Sequence, residues 1–181
     1  MFPYRLDDEI EIRPLAEPEA VTFFAVVDAN RARLYPWMAW VGRVRSVDDA
    51  RIYIRNYPKR GGFHAGIWQG ARLLGGMACP FINHETHEAE FGYWLAADVV
   101  GKGIVTRAAK LILRDLFEQE GMRRIELQAL VDNVRSRAVA ERLGFRFDKV
   151  AREEHWLPNE KYVEHALYVL TADDWRKMGE K

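Results

Sequence analysis

The sequence predicts a mixed α/β domain, a mostly antiparallel sheet of about seven strands with helices on both faces. Three observations predict it. Segments that alternate apolar and polar residues, as strands do, are interleaved with segments whose apolar residues recur every three or four positions, as in helices. Three strand-like runs follow one another before the central helix, joined by short turns, so they are expected to pair antiparallel. Strand and helix then alternate, which demands crossover connections and brings parallel pairing into the sheet. At 181 residues the chain is expected to form one domain, residues 1–181, large enough to bury about 70% of its unfolded surface.

In order, Ile10, Ile12 and Leu15 suggest a first strand, closed by Pro14. Glu17 to Asn30 reads as a helix with Val21, Phe24, Ala25 and Val27 on its apolar side. The segment from Asn30 to Trp40 is dense in aromatics and broken by Pro36; Trp37 and Trp40 suit a core, a wall of a substrate cleft or a homodimer contact equally well. Ser46 opens a second helix as its N-cap, with Ala50, Tyr53, Ile54 and Tyr57 buried, and Pro58 and Gly61-Gly62 end it. Phe63–Gln69 and Leu73–Phe81 form a hairpin about Gly70-Ala71, and Asn83-His84-Glu85 turns the chain into Glu88–Leu95. After the central helix, Gly121 is a helix stop, Arg124–Ala129 a strand, and Asp132-Asn133 the cap of a helix from Val134 to Leu143. A strand starts at Gly144-Phe145, Tyr162–Leu170 is the last strand, and Thr171 to Asp174 opens a terminal helix.

Twenty-seven basic and 27 acidic residues cancel, and 49% of the residues are apolar, which argues against disorder and against a general polyanion surface; no nucleic-acid partner is expected. One cysteine, Cys79, cannot pair internally and sits in an apolar strand as an inert thiol. No cysteine–histidine spacing suggests a metal site. The first residues hold no apolar signal core and no run reaches membrane-spanning length, so a cytoplasmic chain without membrane attachment is expected.

The rest of the chain is organised around Glu88–Glu120. A strand ends at Leu95, a small-residue step leads to Gly101-Lys102-Gly103, and from Ile104 the residues Ala108, Leu111, Ile112 and Leu116 mark one side of a helix. The first turn of a helix presents unpartnered N–H groups and a partial positive charge. Glycines let those amides approach a phosphate closely, and Lys102 adds a cation, so the turn reads as a pyrophosphate cradle. The same glycines serve equally well merely to turn the chain. The P-loop spacing is absent; a dinucleotide fingerprint lacks its third glycine, at Thr106, but has an acidic residue about twenty positions on, at Glu126, so that reading is weakened and not excluded. A crevice is expected where Glu88–Leu95 gives way to Arg124–Ala129 and the strand direction switches.

The element order, GYWL followed by GKGIVTRA, and Asn133-Val-Arg-Ser136 with Ala140-Glu-Arg-Leu-Gly144-Phe145 resemble the GNAT superfamily of acyl-CoA N-acyltransferases, within it the RimJ/RimL branch of ribosomal-protein N-terminal acetyltransferases. The aromatic Asn30–Trp40 segment matches that branch as well, and the likeness spans nearly the whole chain. It implies a sheet splayed at its central strands, acetyl-CoA as co-substrate, and binding of coenzyme A through Leu95, Val100, Gly101, Lys102, Gly103, Ile104, Val105, Thr106, Asn133 and Ser136. The family pattern [QR]-x-x-G-x-[GA] falls on Val100 to Val105. Both ends depart from it: Val100 lacks a polar side chain and Val105 is larger than Gly or Ala. Because backbone amides do most of the phosphate binding, coenzyme A binding is expected to survive, with its tightness in question.

The resemblance also implies roles. Ser136 lies where such enzymes protonate the departing thiolate, and Asn133 where they hold the pantetheine arm, although both positions equally suit helix capping. A backbone N–H near Leu95 is the expected oxyanion donor. For the base, His155 falls where the branch has a glutamate, with Glu154 beside it, and Glu90, facing outward beside the cleft, is the other candidate; each position also suits a solvated or structural polar residue. Transfer to an amine needs no covalent intermediate, and an α-amine of pKa about 8 already supplies several per cent of neutral nucleophile near pH 7. The expected function is acetyl transfer from acetyl-CoA to a primary amine, the N-terminal α-amine of a (ribosomal) protein in one reading. The rivals are a small amine (polyamine or aminoglycoside) and a non-catalytic acyl-CoA-binding module.

Overall fold

In the computed structural model, residues 2–57, 61–157 and 160–179 are described, the side chains of 153–162 excepted. The elements run β1 Tyr4–Arg5, β2 Ile10–Pro14, α1 Ala20–Ala29, α2 Arg31–Leu34, α3 Val47–Asn56, β3 Phe63–Gln69, β4 Arg72–Asn83, β5 Glu88–Leu95, α4 Ile104–Glu118, β6 Arg124–Leu130, α5 Val134–Arg142, β7 Arg146–Leu157, β8 Glu160–Thr171 and α6 Ala172–Gly179. One sheet carries all the strands in the order β1-β2-β3-β4-β5-β6-β8-β7. Every neighbouring pair is antiparallel except β5 with β6, which is parallel.

The sheet has eight strands rather than seven. The addition is β1, in which Tyr4 and Arg5 pair with Ile12 and Glu11; two residues are too few to show a period of two. Its Tyr4 hydroxyl donates to the Asp115 carboxylate on α4, tying this edge to the central helix.

Two apolar clusters show the layers. One gathers Ile67, Phe91, Ile125 and Leu127 against Ile104, Ala108, Ile112 and Leu116 of α4 and Ala140 of α5. The other gathers Trp68, Leu73 and Trp94 against Phe23 and Val27 of α1, Leu34 of α2, and Ala50 and Ile54 of α3. Successive residues such as Ile67 and Trp68 enter different clusters, so the helices cover opposite faces of one sheet. On α4 the predicted apolar side is the buried one, Leu111 being half-buried at its margin.

The α1 helix buries Val27 and half-buries Phe24 as expected, but the rest of its buried side differs from the one expected. After a 3-10 turn at Glu17–Glu19, Ala20, Phe23 and Val27 face the core, while Val21 is 58% exposed and Ala25 is exposed. Its sequence AVTFFAVVDA is apolar nearly all round, so periodicity does not set the phase. The α3 helix begins as expected, with Ser46 Oγ accepting the Asp49 N–H at 3.1 Å.

Candidate active site

The strands β5 and β6 pair only through Glu88–Arg124, Ala89–Ile125 and Glu90–Glu126. Beyond Glu90 they part, and the gap between Phe91–Leu95 and the end of β6 is the crevice expected at the switch of strand direction. Backbone polarity within it follows from the register. Ala96 N–H donates to Leu74 O at 2.8 Å, so Ala96 points its amide at β4, and the alternation of a strand turns Leu95 N–H and C=O the other way, into the gap. The Leu95 carbonyl accepts a bond from Arg33 Nη2. The α1–α2 junction is also held to this corner, since Asn30 Oδ1 accepts the Ala97 N–H at 2.8 Å.

From Leu95 the chain passes a 3-10 turn at Ala97–Val99 and enters α4 through Gly101 (φ 79°) and Gly103 (φ 71°). Both glycines occupy the left-handed region, so the turn needs them for its backbone conformation. A Cβ at either position would meet no atom within 4 Å beyond its chain neighbours, so the turn is open on that side. No side chain caps α4. Lys102 is exposed and Thr106 half-buried. Val100, where the family has a polar residue, is 39% exposed in extended conformation; Val105 is buried beside Ile104. The open left-handed glycines, the uncapped helix and Lys102 fit a pyrophosphate.

Across the gap, α5 begins at Asn133, whose Oδ1 accepts the Ser136 N–H at 3.2 Å and whose NH2 group has no partner among the described residues. The Ser136 Oγ lies 3.0 Å from the Tyr93 hydroxyl on β5. Burial pushes the Tyr93 phenol above its ordinary value, opposed by the Ser136 bond and by the charge of Arg142. A network fixes α5: Arg137 donates to the Tyr168 hydroxyl (3.1 Å) and to Val131 O (3.0 Å), and Tyr168 donates to Glu141 (2.9 Å).

The remaining candidates are spread out. Glu90 lies on the sheet face that carries Trp94 and α1–α3, opposite the face of Tyr93, and it is half-buried. His155 is on β7, in the stretch whose side chains lie outside the described residues, as does Glu154. Trp40 packs into an aromatic cluster, stacked on Tyr53 (4.9 Å) and Phe23 (5.9 Å) and edge-on to Trp94 (6.1 Å). Trp37 is 39% exposed. Cys79 is fully buried, and burial holds its thiol well above the ordinary value, so it is inert. No group of acidic, histidine or cysteine side chains suited to a metal, and no helix long and apolar enough to cross a membrane, occurs among the described residues.

Two site residues escaped the sequence reading. Tyr93 lies inside GYWL, but nothing in the chain joins it to Ser136, 43 positions on. For Arg33 there was a signal, since residues 31–45 hold four arginines and no carboxylate.

A splayed mixed sheet with an open glycine turn at the head of its crossover helix and a hydroxyl pair across the gap has the parts that acyl transfer needs. Residues 9–146 match the model of the acetyltransferase (GNAT) domain, and the chain belongs to that family. It is 31% identical to the Bacillus subtilis (strain 168) protein YdaF over 100% of both chains. It is 25% identical to the ribosomal-protein-serine acetyltransferase of Escherichia coli (strain K12), over 93% of this chain and 96% of that one. The crystal structure of the microcin C7 self-immunity acetyltransferase MccE, in complex with acetyl-CoA and AMP, superposes with a TM-score of 0.82 at 25% identity, covering 92% of this chain and 94% of that chain.

Proposed function

We propose that the chain transfers an acetyl group from acetyl-CoA to the N-terminal α-amine of a protein. The single observation that carries the reading is the Tyr93–Ser136 hydroxyl pair, set across the gap between β5 and β6 beside an outward-turned Leu95 amide. The coenzyme supplies an acetyl thioester. Gly101 to Thr106 and Lys102 hold its pyrophosphate through backbone amides and one cation, and the Asn133 NH2 group is free to hold the pantetheine arm.

Each step of the chemistry then has a group in this chain. The Leu95 N–H stabilises negative charge on the carbonyl oxygen as it develops. Ser136 gives its proton to the leaving sulfur. A serine hydroxyl has one proton, so it can give it away only if it does not spend it on Tyr93. Tyr93, kept protonated by burial, donates to Ser136 Oγ and leaves that proton directed at the ligand. Glu90 on the opposite face, directly or through water, takes the proton of the attacking amine, with His155 the alternative. An α-amine asks little of that base, unlike a lysine side chain of pKa about 10.4. The relationship to a ribosomal-protein-serine acetyltransferase supports a protein acceptor.

The test is incubation of the protein with labelled acetyl-CoA and a panel of amines: peptides with free N-termini, the same peptides N-terminally blocked but carrying lysine, polyamines and aminoglycosides. Label on the free N-terminal peptides alone supports the reading. Label confined to polyamines or aminoglycosides would overturn it in favour of a small-amine enzyme, and coenzyme A binding with no transfer to any amine would leave a binding module.

A further inference from the structure

We propose that Arg33 and Arg135 together form a receptor for an anionic group on the acceptor, so that this site favours an amine carried by an acidic peptide. The proposal rests on the acetyl-transfer reading above. Arg33 reaches from α2 to the Leu95 carbonyl at the opening between β5 and β6, which fixes its guanidinium there. Its Nε is buried without a hydrogen-bond partner. Arg135, exposed on the first turn of α5, stands at the same gap, because its neighbour Ser136 meets Tyr93 two residues before Leu95 on β5; burial and then the charge of Arg135 lower the Arg33 pKa. Neither arginine makes an ion pair among the described residues. Arg13, Arg55, Arg72 and Arg107 each meet a carboxylate, whereas exposed arginines such as Arg5 and Arg43 do not among the described residues; what sets Arg33 apart is its buried, unpartnered Nε at the gap.

Two like charges brought together, one with a buried unsatisfied nitrogen, are unfavourable by themselves and become favourable when an anion sits between them. Among the described residues the surrounding chain does not provide one. Residues 31–45 contain no carboxylate, and Arg31 in that segment is already engaged by Asp28 and by the carbonyls of Val41 and Val44. The anion therefore comes from a ligand, by its chemistry a carboxylate of the acceptor or a phosphate of coenzyme A. Arg33 belongs to the α1–α3 layer and Arg135 stands beside the acid Ser136, whereas the phosphate turn heads α4. The pair is thus at the reacting end, where an acceptor's residues next to its α-amine lie.

The experiment uses three peptides identical except at positions two to four, which carry aspartate and glutamate, their amides, or lysine. Acetylation rates and peptide binding to the coenzyme-saturated protein are both measured. The acidic peptide is expected to show kcat/KM about tenfold above the neutral one, the scale of one hydrogen bond to a charged group, and this preference should shrink with added salt. Arg135→Gln should remove most of the preference, Arg135→Glu should turn it towards the lysine peptide, and Arg33→Lys should retain part of it, all with an unchanged dissociation constant for coenzyme A. Equal use of acidic and neutral peptides overturns the inference and leaves the enzyme reading intact. Loss of coenzyme A affinity in Arg135→Gln without altered peptide discrimination also overturns it, because the anion is then a coenzyme phosphate. Selective binding of the acidic peptide without any transfer supports the receptor and defeats the enzyme reading.

Discussion

The Tyr93 hydroxyl stands 3.0 Å from the Ser136 hydroxyl, joining β5 to the first turn of α5 across the gap where β5 and β6 part. The contact links two elements on either side of the crevice, and a hydroxyl whose proton leaves during reaction needs a second donor behind it. Tyr93 suits that place because burial keeps its phenol protonated.

Ser136→Ala should lower kcat by about 10- to 1,000-fold, near the usual contribution of a positioned acid, with little change in KM for acetyl-CoA. Tyr93→Phe should lower kcat less, by roughly the 5- to 10-fold worth of one neutral hydrogen bond. Since both act through one proton, the double variant should be no slower than Ser136→Ala alone. Steady-state rates for the four proteins check this. Additive losses would place Tyr93 in some other task. An activated acetyl donor whose leaving group needs no proton should erase most of the Ser136→Ala defect.

Gly103→Val should weaken coenzyme A binding while the domain stays folded. The new Cβ meets no protein atom within 4 Å, so the cost to the fold is that of a left-handed backbone, about 1–2 kcal/mol. Gly121 provides the control, with φ 67° and the same open surroundings at the far end of α4. Gly121→Val should lose similar stability and keep full coenzyme affinity by calorimetry. If both variants bind coenzyme A equally well, the turn at Gly101–Thr106 does not hold the pyrophosphate.

Val100→Gln should tighten acetyl-CoA binding by about 0.5–1.5 kcal/mol, the worth of one added hydrogen bond. Val100 is 39% exposed at the approach to the turn, so the longer polar side chain has room and displaces no core contact. A dissociation constant that stays level or rises in the variant would show that position 100 lies out of reach of the phosphates.

How far the sequence speaks depends on how local each feature is. The strand at Glu88–Leu95, the Ser46 cap and the helix from Ile104 are set by residues within one or two turns of each other, and the structure has them at the expected places. The phase of α1 was lost because its apolar residues surround it, so that only packing against Trp40, Tyr53 and Trp94 chooses Phe23 over Phe24. The two-residue β1 depends on its partner β2 for its existence. In the site, glycines and caps are legible because they answer to backbone geometry. The pairs Tyr93–Ser136 and Arg33–Leu95 are not, because tertiary folding brings together residues 43 and 62 positions apart.

Stability should fall on mild acidification because of His64. This side chain is 6% exposed, walled by Phe23, Tyr53 and Tyr57, and its Nδ1 has no partner. Burial lowers its pKa from 6.5 to about 3, so the folded protein holds it neutral where the unfolded chain binds a proton. Between those two values the unfolded state carries the extra proton, and stability rises with pH. The contribution is therefore fully present above pH 6.5 and is lost as pH falls towards 3, by about 1.4 kcal/mol per unit within the window. The depressed carboxyls of Asp7, Asp49, Asp174 and Glu17 also lose stability on acidification, as pH approaches and passes below their ordinary values of 3.8, or 4.5 for Glu17. Denaturant unfolding from pH 7 to about 5.5 thus stays above the range of these carboxyls. His64→Phe keeps a flat ring in the same aromatic surroundings and should flatten the curve between pH 6.5 and about 5.5, and His64→Gln should do the same from a lower starting stability. Curves for both variants that run parallel to the wild type would show that His64 takes up its proton without unfolding, and that the cluster around Phe23 opens to admit it.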